Sequence, residues 1–360
     1  MNSIKPHGLC DSCYTIQLDG LPDKELQVHN CWLFFPFHRW YLYFFERILG
    51  KLINDPTFGL PYWNWDNPSG MSMPGFFEGK TLPSNDPAIS PPLNPAFDAF
   101  RNVDHLPPAI LDIDYNNTAS ADFTCVQQIG SNLSLMYKQM ITNSPNSETF
   151  FGGKFIAGDD PISIQNSKGP MESGVHTAAH IWVGNPRMPN NEDMGNFYSL
   201  GWDPLFYTHH ANVDRMWKIW KDLKGPDYPD HTEPTDPDWL NASYVFYDEN
   251  KELVRVYNKD CVQMEKFVKF DVFVNDLDDG TPCSPQDSEF AGSFSQVAHL
   301  RGHKMLMTSG VKFGLNELLD DIETEADEYI LLTLVPRDGC QEVTIGEIKI
   351  ELVPSSANSG

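Results

Sequence analysis

Apolar positions recur at helical spacing through much of the chain, then give way to strand-like runs beyond residue 238. "PFHRWYLYFFERILGKL", residues 36–52, reads as a helix, with Pro36 at the first helical position, where its missing N–H costs nothing, and Gly50 at its end. Residues 120–141 have helical apolar spacing, and residues 169–184 read as a short helix ending at Gly184. The clearest helix covers residues 203–225, with Asp203 as N-cap, Pro204 at the first position and Gly225 as the stop. Residues 54–120, rich in Pro, Asn, Asp and Gly, read as long irregular loops, and residues 185–202 as a shorter one. A Pro/Asp-rich connection, residues 226–238, follows. After it, "SYVFYDE", "LVRVYN", "VKFDVFVND", "YILLTLVP" and "VTIGEIKIELVP" alternate or run apolar at strand length. The pattern predicts a mainly α domain over residues 1–262 and a small C-terminal β domain over residues 263–353.

Composition narrows the function. The chain has 360 residues, 41% of them hydrophobic, enough for a sizeable core. Its 25 Lys+Arg against 50 Asp+Glu give a net charge of −25, which repels nucleic-acid phosphates and acidic membrane surfaces. No membrane span is expected: the nearest apolar run, "CWLFFPFHRWYLYFFERIL", is interrupted by Pro36, His38, Arg39, Glu46 and Arg47. "MNSIKPHGL" at the N-terminus has neither the apolar core of a secretory signal nor the composition of a transit peptide, so a mature form, a fragment or an untargeted protein is expected. The seven cysteines are too few and too scattered for a disulfide scaffold, and their odd number leaves at least one thiol outside simple pairing.

The candidate chemistry lies in the histidines. In "HTAAH", His176 and His180 stand one turn apart on one helical face, where both can hold one metal ion. Alone, that spacing is weak evidence, because core and surface histidines are common. In "THHANVDRMW", the adjacent His209 and His210 point to different faces. Asp214 shares a face with His210 and is placed to fix its ring. Two such helices shift the weight toward a three-histidine site. In "VHNCWLFFPFHRW", Pro36 lets His29 lie before a helix and His38 inside it, so the two can converge. All-imidazole ligation suits Zn, Cu, Fe or Ni, and two clusters on packed helices resemble a dinuclear centre in a bundle. "KPHGLCDSCY", residues 5–14, reads as half a zinc site or a CxxC redox pair.

Longer segments carry a family resemblance that covers nearly the whole chain. "LQVHNCWLFFPFHRWYLYFFERILGKLINDPTFGLPYWNWDNP" and "EDMGNFYSLGWDPLFYTHHANVDRMW" resemble the two copper half-sites of plant polyphenol oxidases (catechol oxidases), which are tyrosinase-related type 3 copper proteins. "DWLNASYVFYDENKELVRV" and "KFVKFDVFVND" resemble that family's two C-terminal signature segments. The resemblance implies a four-helix bundle holding two copper ions, with O₂ and a small phenol as co-substrates and a catechol leaving as an o-quinone. It implies that His29 and His38 bind the first copper, and that His176, His180 and His210 bind the second. His209 becomes a non-ligand neighbour and Asp214 the partner of His210. Phe197 takes the place of the gate over the substrate site, and Glu172 that of the glutamate holding a water near the coppers. Thr177 and Ile181 stand where the family tunes substrate preference, with Thr177 leaning toward diphenols. The resemblance also implies a location in the plastid, at the thylakoid lumen. A haemocyanin-like O₂ carrier shares the ligands, but the plant-type signatures and Phe197 argue against it.

The sequence departs from the family at its start. Aligning the family's HCxxC on "LCDSC" puts Cys13 where a cysteine forms a thioether to His29, and Cys10 where one forms a disulfide to an upstream cysteine. It puts Leu9 where the third ligand of the first copper stands, and leucine has no donor atom. His7 is the only nearby replacement. The connection after Cys261 is also shorter than in the family. These departures imply either a diphenol oxidase with a weakened first copper site, or an inactive relative that keeps the fold and one copper at most, or a fragment.

Overall fold

In the computed structural model the described residues are 28–55, 57–82, 92–116, 123–153, 168–223, 231–262, 266–275, 287–299, 329–338 and 343–350, with isolated positions between them. Helix α1, Phe34–Ile53, begins two residues before the predicted start. Pro36 is its third residue, still inside the first turn, where amides have no intrahelical partner. Gly50 does not end the helix. The chain leaves through Asn54, in the left-handed region at φ 56°, and folds back so that Asp55 N–H donates to the Gly50 carbonyl at 2.8 Å. A Cβ on residue 50 would lie 2.8 Å from the Asp55 carbonyl oxygen, so glycine is what permits the return.

Helix α2, Cys125–Tyr137, is opened by a capping box between Thr124 and Gln127 and continues into a π turn, Lys138–Thr142. The short helix α3, Ser147–Phe151, follows. A second π turn, Glu172–His176, leads into α4, Thr177–Val183, so the predicted helix over 169–184 is present but kinked. Helix α5 spans Leu205–Asp222. Asp203 lies just outside it, its Oδ1 accepting Leu205 N–H at 2.8 Å, while the expected stop, Gly225, lies outside the described residues. Two short helices, α6 (Pro237–Asn241) and α7 (Asn258–Cys261), close the helical part.

Aromatic rings fill the core between α1, α3 and α5. Trp40, Trp217, Trp220, Phe34, Phe150 and Phe206 are all fully buried, and Phe150 stacks on Trp220 with centroids 4.2 Å apart. The irregular loops are fastened to this core by a buried fork. Arg101 donates to both Asp203 oxygens, at 2.8 and 2.6 Å, and to the Ala96 and Phe77 carbonyls. The start of α5 is thereby tied to the loop that covers it.

Strands β1 (Ser243–Tyr247) and β2 (Leu253–Tyr257) form an antiparallel hairpin with Val245 opposite Arg255. Its inward rings, Tyr244 and Phe246, meet Phe37, Tyr41 and Phe44 of α1, so the hairpin packs with the helices. Strands β3 (Lys266–Val274), β4 (Phe290–His299) and β5 (Leu332–Asp338) form an antiparallel sheet in the order β4–β3–β5. The fold class is thus a helix-rich unit with a small C-terminal sheet. One strand reading needs correction, and one strand was not read. Residues 343–350, part of "VTIGEIKIELVP", are not a strand: they form no ladder with any strand among the described residues, and Ile348 and Ile350 are exposed. Alternation without a ladder partner does not make a strand. Conversely β4 is a strand despite Gly292 and several polar residues, because β3 supplies its ladder.

Candidate metal centre

Three helical segments and the stretch before α1 bring five histidines to one buried place. His38 comes from the second turn of α1, His176 and His180 from the π turn and α4, His210 from α5, and His29 from the segment before α1. Each is at most 9% exposed. The donor nitrogens of His176, His180 and His210 all lie within 4.8 Å of one another, and the Nε2 atoms of His180 and His210 are 3.1 Å apart. The His38 ring stacks on His210 with centroids 4.3 Å apart, and His29 lies 5.1 Å from His38.

Backbone carbonyls decide which nitrogen of each ring is available. A carbonyl oxygen only accepts, so each Nδ1 that contacts one carries the hydrogen. Nδ1 of His38 donates to Phe34 O at 2.7 Å, that of His176 to Glu172 O at 3.0 Å, and that of His180 to Met194 O at 2.9 Å. The lone pair of each ring is therefore on Nε2, and His176 Nε2 has no hydrogen-bond partner among the described residues. Burial, followed by neighbouring imidazoles, lowers the pKa of His29 and His210 well below the usual histidine value. Burial, only partly offset by the carbonyl that each ring donates to and reinforced at His38 by the neighbouring His180, takes His38 to about 3 and His180 to about 4. Neutral imidazoles with converging lone pairs are the donor set that Cu, Zn, Fe or Ni accepts. His176, His180 and His210 thus fit a copper ion. His29 and His38 lie beside these three.

His209, adjacent in sequence, is excluded from that set by its bonds. Its Nε2 contacts the His176 carbonyl at 3.2 Å and must be the donor, and its Nδ1 accepts Trp65 Nε1–H at 3.1 Å. Both ring nitrogens are engaged. The expectation for Asp214 needs correction. Its Oδ1 accepts from Arg39 Nε at 2.7 Å, and His210 Nδ1 has no hydrogen-bond partner among the described residues. A buried arginine on α1 is the stronger claimant for a buried carboxylate than a neutral imidazole one turn away.

The remaining expected residues are distributed as follows. Phe197 is 50% exposed, and its ring lies 4.7 Å from that of His29, at the edge of the cluster. Glu172 is buried, its Oε1 accepting Asn30 N–H at 2.5 Å, and burial raises its pKa to about 8. Thr177 is exposed but turns its hydroxyl back onto the Glu172 carbonyl at 2.7 Å, while Ile181 is half-buried. Leu9, His7, Cys10 and Cys13, including the expected thioether of Cys13 to His29, lie outside the described residues. Two contributors were missed by sequence reasoning. The Phe34 ring lies between 4.6 and 6.2 Å from those of His29, His38, His176 and His210. Its place four residues before His38 put it on the same helical face. The Met194 carbonyl, which orients His180, comes from a loop and leaves no sequence signal.

Buried neutral imidazoles converging from packed helices define a histidine-ligated metal site. Residues 4–223 match the family described as the common central domain of tyrosinase. Residues 245–352 match the chloroplastic polyphenol oxidase C-terminal domain, a match that begins inside β1. A chloroplastic polyphenol oxidase of Malus domestica is 38% identical, over 95% of this chain and 70% of that protein. Chloroplastic polyphenol oxidase II of Ipomoea batatas is 39% identical, over 95% and 68%. Among solved structures, a recombinantly expressed latent aurone synthase (polyphenol oxidase) is 46% identical with a TM-score of 0.58, over 92% of this chain and 78% of that one. The chain belongs to the plant polyphenol oxidase family, tyrosinase-type copper oxidoreductases.

Proposed function

We propose that this chain oxidises o-diphenols to o-quinones with O₂, two catechols giving up four electrons and four protons per O₂ reduced to two waters. The observation that carries the proposal is the convergence of neutral His176, His180 and His210 beside His29 and His38, with Phe197 at the open edge. His29 and His38 would hold one copper and the other three histidines a second. When bound, copper supplies the electron transfer and O₂ binding that side chains lack. The chain's own residues do the rest. The Phe34, Glu172 and Met194 carbonyls aim three imidazoles, and Phe34 and Phe206 surround them with apolar rings that exclude water. Phe197 offers a half-exposed face on which a planar phenol can stack, Glu172 keeps the water-holding role, and Thr177 and Ile181 tune substrate preference, Thr177 toward diphenols. The names of the chloroplastic relatives support a plastid location, which we extend to the thylakoid lumen. The net charge of −25 argues against a nucleic-acid partner.

Leu9 favours a second reading, an impaired relative with one copper or none, since it stands where the resemblance calls for a histidine. Elemental copper analysis of the purified chain, with catechol-dependent O₂ uptake, decides between them. Two coppers per chain with turnover support the oxidase. One or none without turnover gives the impaired form, and reversible O₂ binding without turnover marks a carrier.

A further inference from the structure

Gln139 is buried against the segment that carries His176. It lies in the π turn Lys138–Thr142, where one extra residue in the turn redirects side chains relative to a regular helix. Facing it is the second π turn, Glu172–His176, interrupted at Gly174 by φ −94° and ψ −115°. The kink takes the Val175 amide out of the regular ladder, and Gln139 Oε1 accepts it at 3.0 Å. A Cβ at position 174 would lie 2.4 Å from both Cδ and Nε2 of Gln139, so any side chain there displaces the amide end of Gln139. The Gln139 end is itself anchored. Ser144 Oγ donates to the Gln139 carbonyl at 2.6 Å, and Trp220 Nε1 of α5 donates to the Ser144 carbonyl at 2.9 Å. One chain of hydrogen bonds therefore joins α5, which carries His210, to the residue before His176.

We propose that Gln139 is a positioning residue of the metal centre, holding the kinked backbone at Val175 so that His176 and the Glu172 carbonyl that orients it keep their directions. The inference rests on the reading that His176, His180 and His210 bind copper. A neutral amide suits the task, because it satisfies a buried amide without adding charge beside neutral imidazoles.

The test is titration of Co(II) and Cu(II) into the metal-free full chain, with affinity read by chelator competition and geometry by the visible cobalt spectrum. Three variants are compared with the native chain. Gln139→Met removes the acceptor at similar volume, Gly174→Ala pushes the amide away from the other side, and Gln139→Glu retains an acceptor oxygen. The Met and Ala variants are expected to bind about tenfold or more weakly, the range seen when groups supporting metal ligands are lost, with a shifted cobalt band. Gln139→Glu is expected to keep the native spectrum and an affinity within about threefold, even where it lowers thermal stability. Near-UV circular dichroism checks each fold, and because Met and Ala break the same bond from opposite sides, one folded variant suffices. Native affinity and spectrum in a folded Met or Ala variant overturn the proposal. A native chain that takes up neither metal overturns the copper reading itself, and this inference with it.

Discussion

Replacing Asp214 by Asn separates two roles that the sequence would combine. Asp214 and Arg39 are 5% and 2% exposed at their side chains and meet at 2.7 Å, joining α5 to α1. Nη1 and Nη2 of Arg39 have no hydrogen-bond partner among the described residues, and its guanidinium lies 3.9 Å above the Trp217 ring. The carboxylate is thus the main compensation for a fully buried cation. Removing one member of a buried pair costs about 3–5 kcal/mol, since the other charge stays behind. At about 2–4 °C per kcal/mol for a unit of this size, the thermal midpoint should fall by roughly 6–20 °C. The paired replacement Arg39→Met with Asp214→Leu should recover most of that loss, because no charge is left uncompensated. Metal affinity should stay within about threefold of native, because His210 makes no bond to Asp214. Calorimetry and copper titration on the same samples provide the check. Asp214→Asn with nearly unchanged stability but affinity weakened tenfold or more would refute the assignment and return Asp214 to His210.

Three further outcomes are expected. Gly184→Ala should cost about 1–3 kcal/mol in chemical denaturation and weaken metal binding, since its Cβ would lie 2.5 Å from the Asn191 carbonyl oxygen and 2.7 Å from Gly195 N, displacing the loop whose Met194 carbonyl holds His180. Burial raises the pKa of Glu46 to about 7 from 4.5, so the folded chain holds a proton that the unfolded chain has released, and this contribution to stability falls as pH rises from about 4.5 to 7. Glu46→Gln, which keeps an acceptor for Leu60 N–H, should flatten that fall by about 3 kcal/mol, and an unchanged pH slope in urea melts would contradict it. Leu9→His should raise the copper content of the purified chain by up to one ion, and no gain would show that the first half-site is limited elsewhere.

The parts of the site that regular helix geometry determines were readable in advance. His176 and His180 had to share a face, and His209 and His210 had to diverge. Which of the latter two faces the cluster depends on Trp65 and the His176 carbonyl, contacts that join residues far apart in the chain. Asp214 was misread for the same reason: spacing put it near His210 but could not weigh the competing arginine on α1. The kink at Gly174 and the π turns were invisible because apolar periodicity continues through them. Strand prediction failed where pairing rather than propensity decides, at β4 and at residues 343–350.

The double engagement of His209 bears on how the centre is filled. Two neighbouring imidazoles on one helix offer an incoming ion two ways to bind, and a mistaken capture would have to be undone before the correct site formed. Trp65 and the His176 carbonyl occupy both nitrogens of His209 beforehand. An arriving ion therefore meets one set of lone pairs, three of them, on His38, His176 and His180, already held in direction by backbone carbonyls. The protein's selectivity in loading begins with the histidine it has withheld.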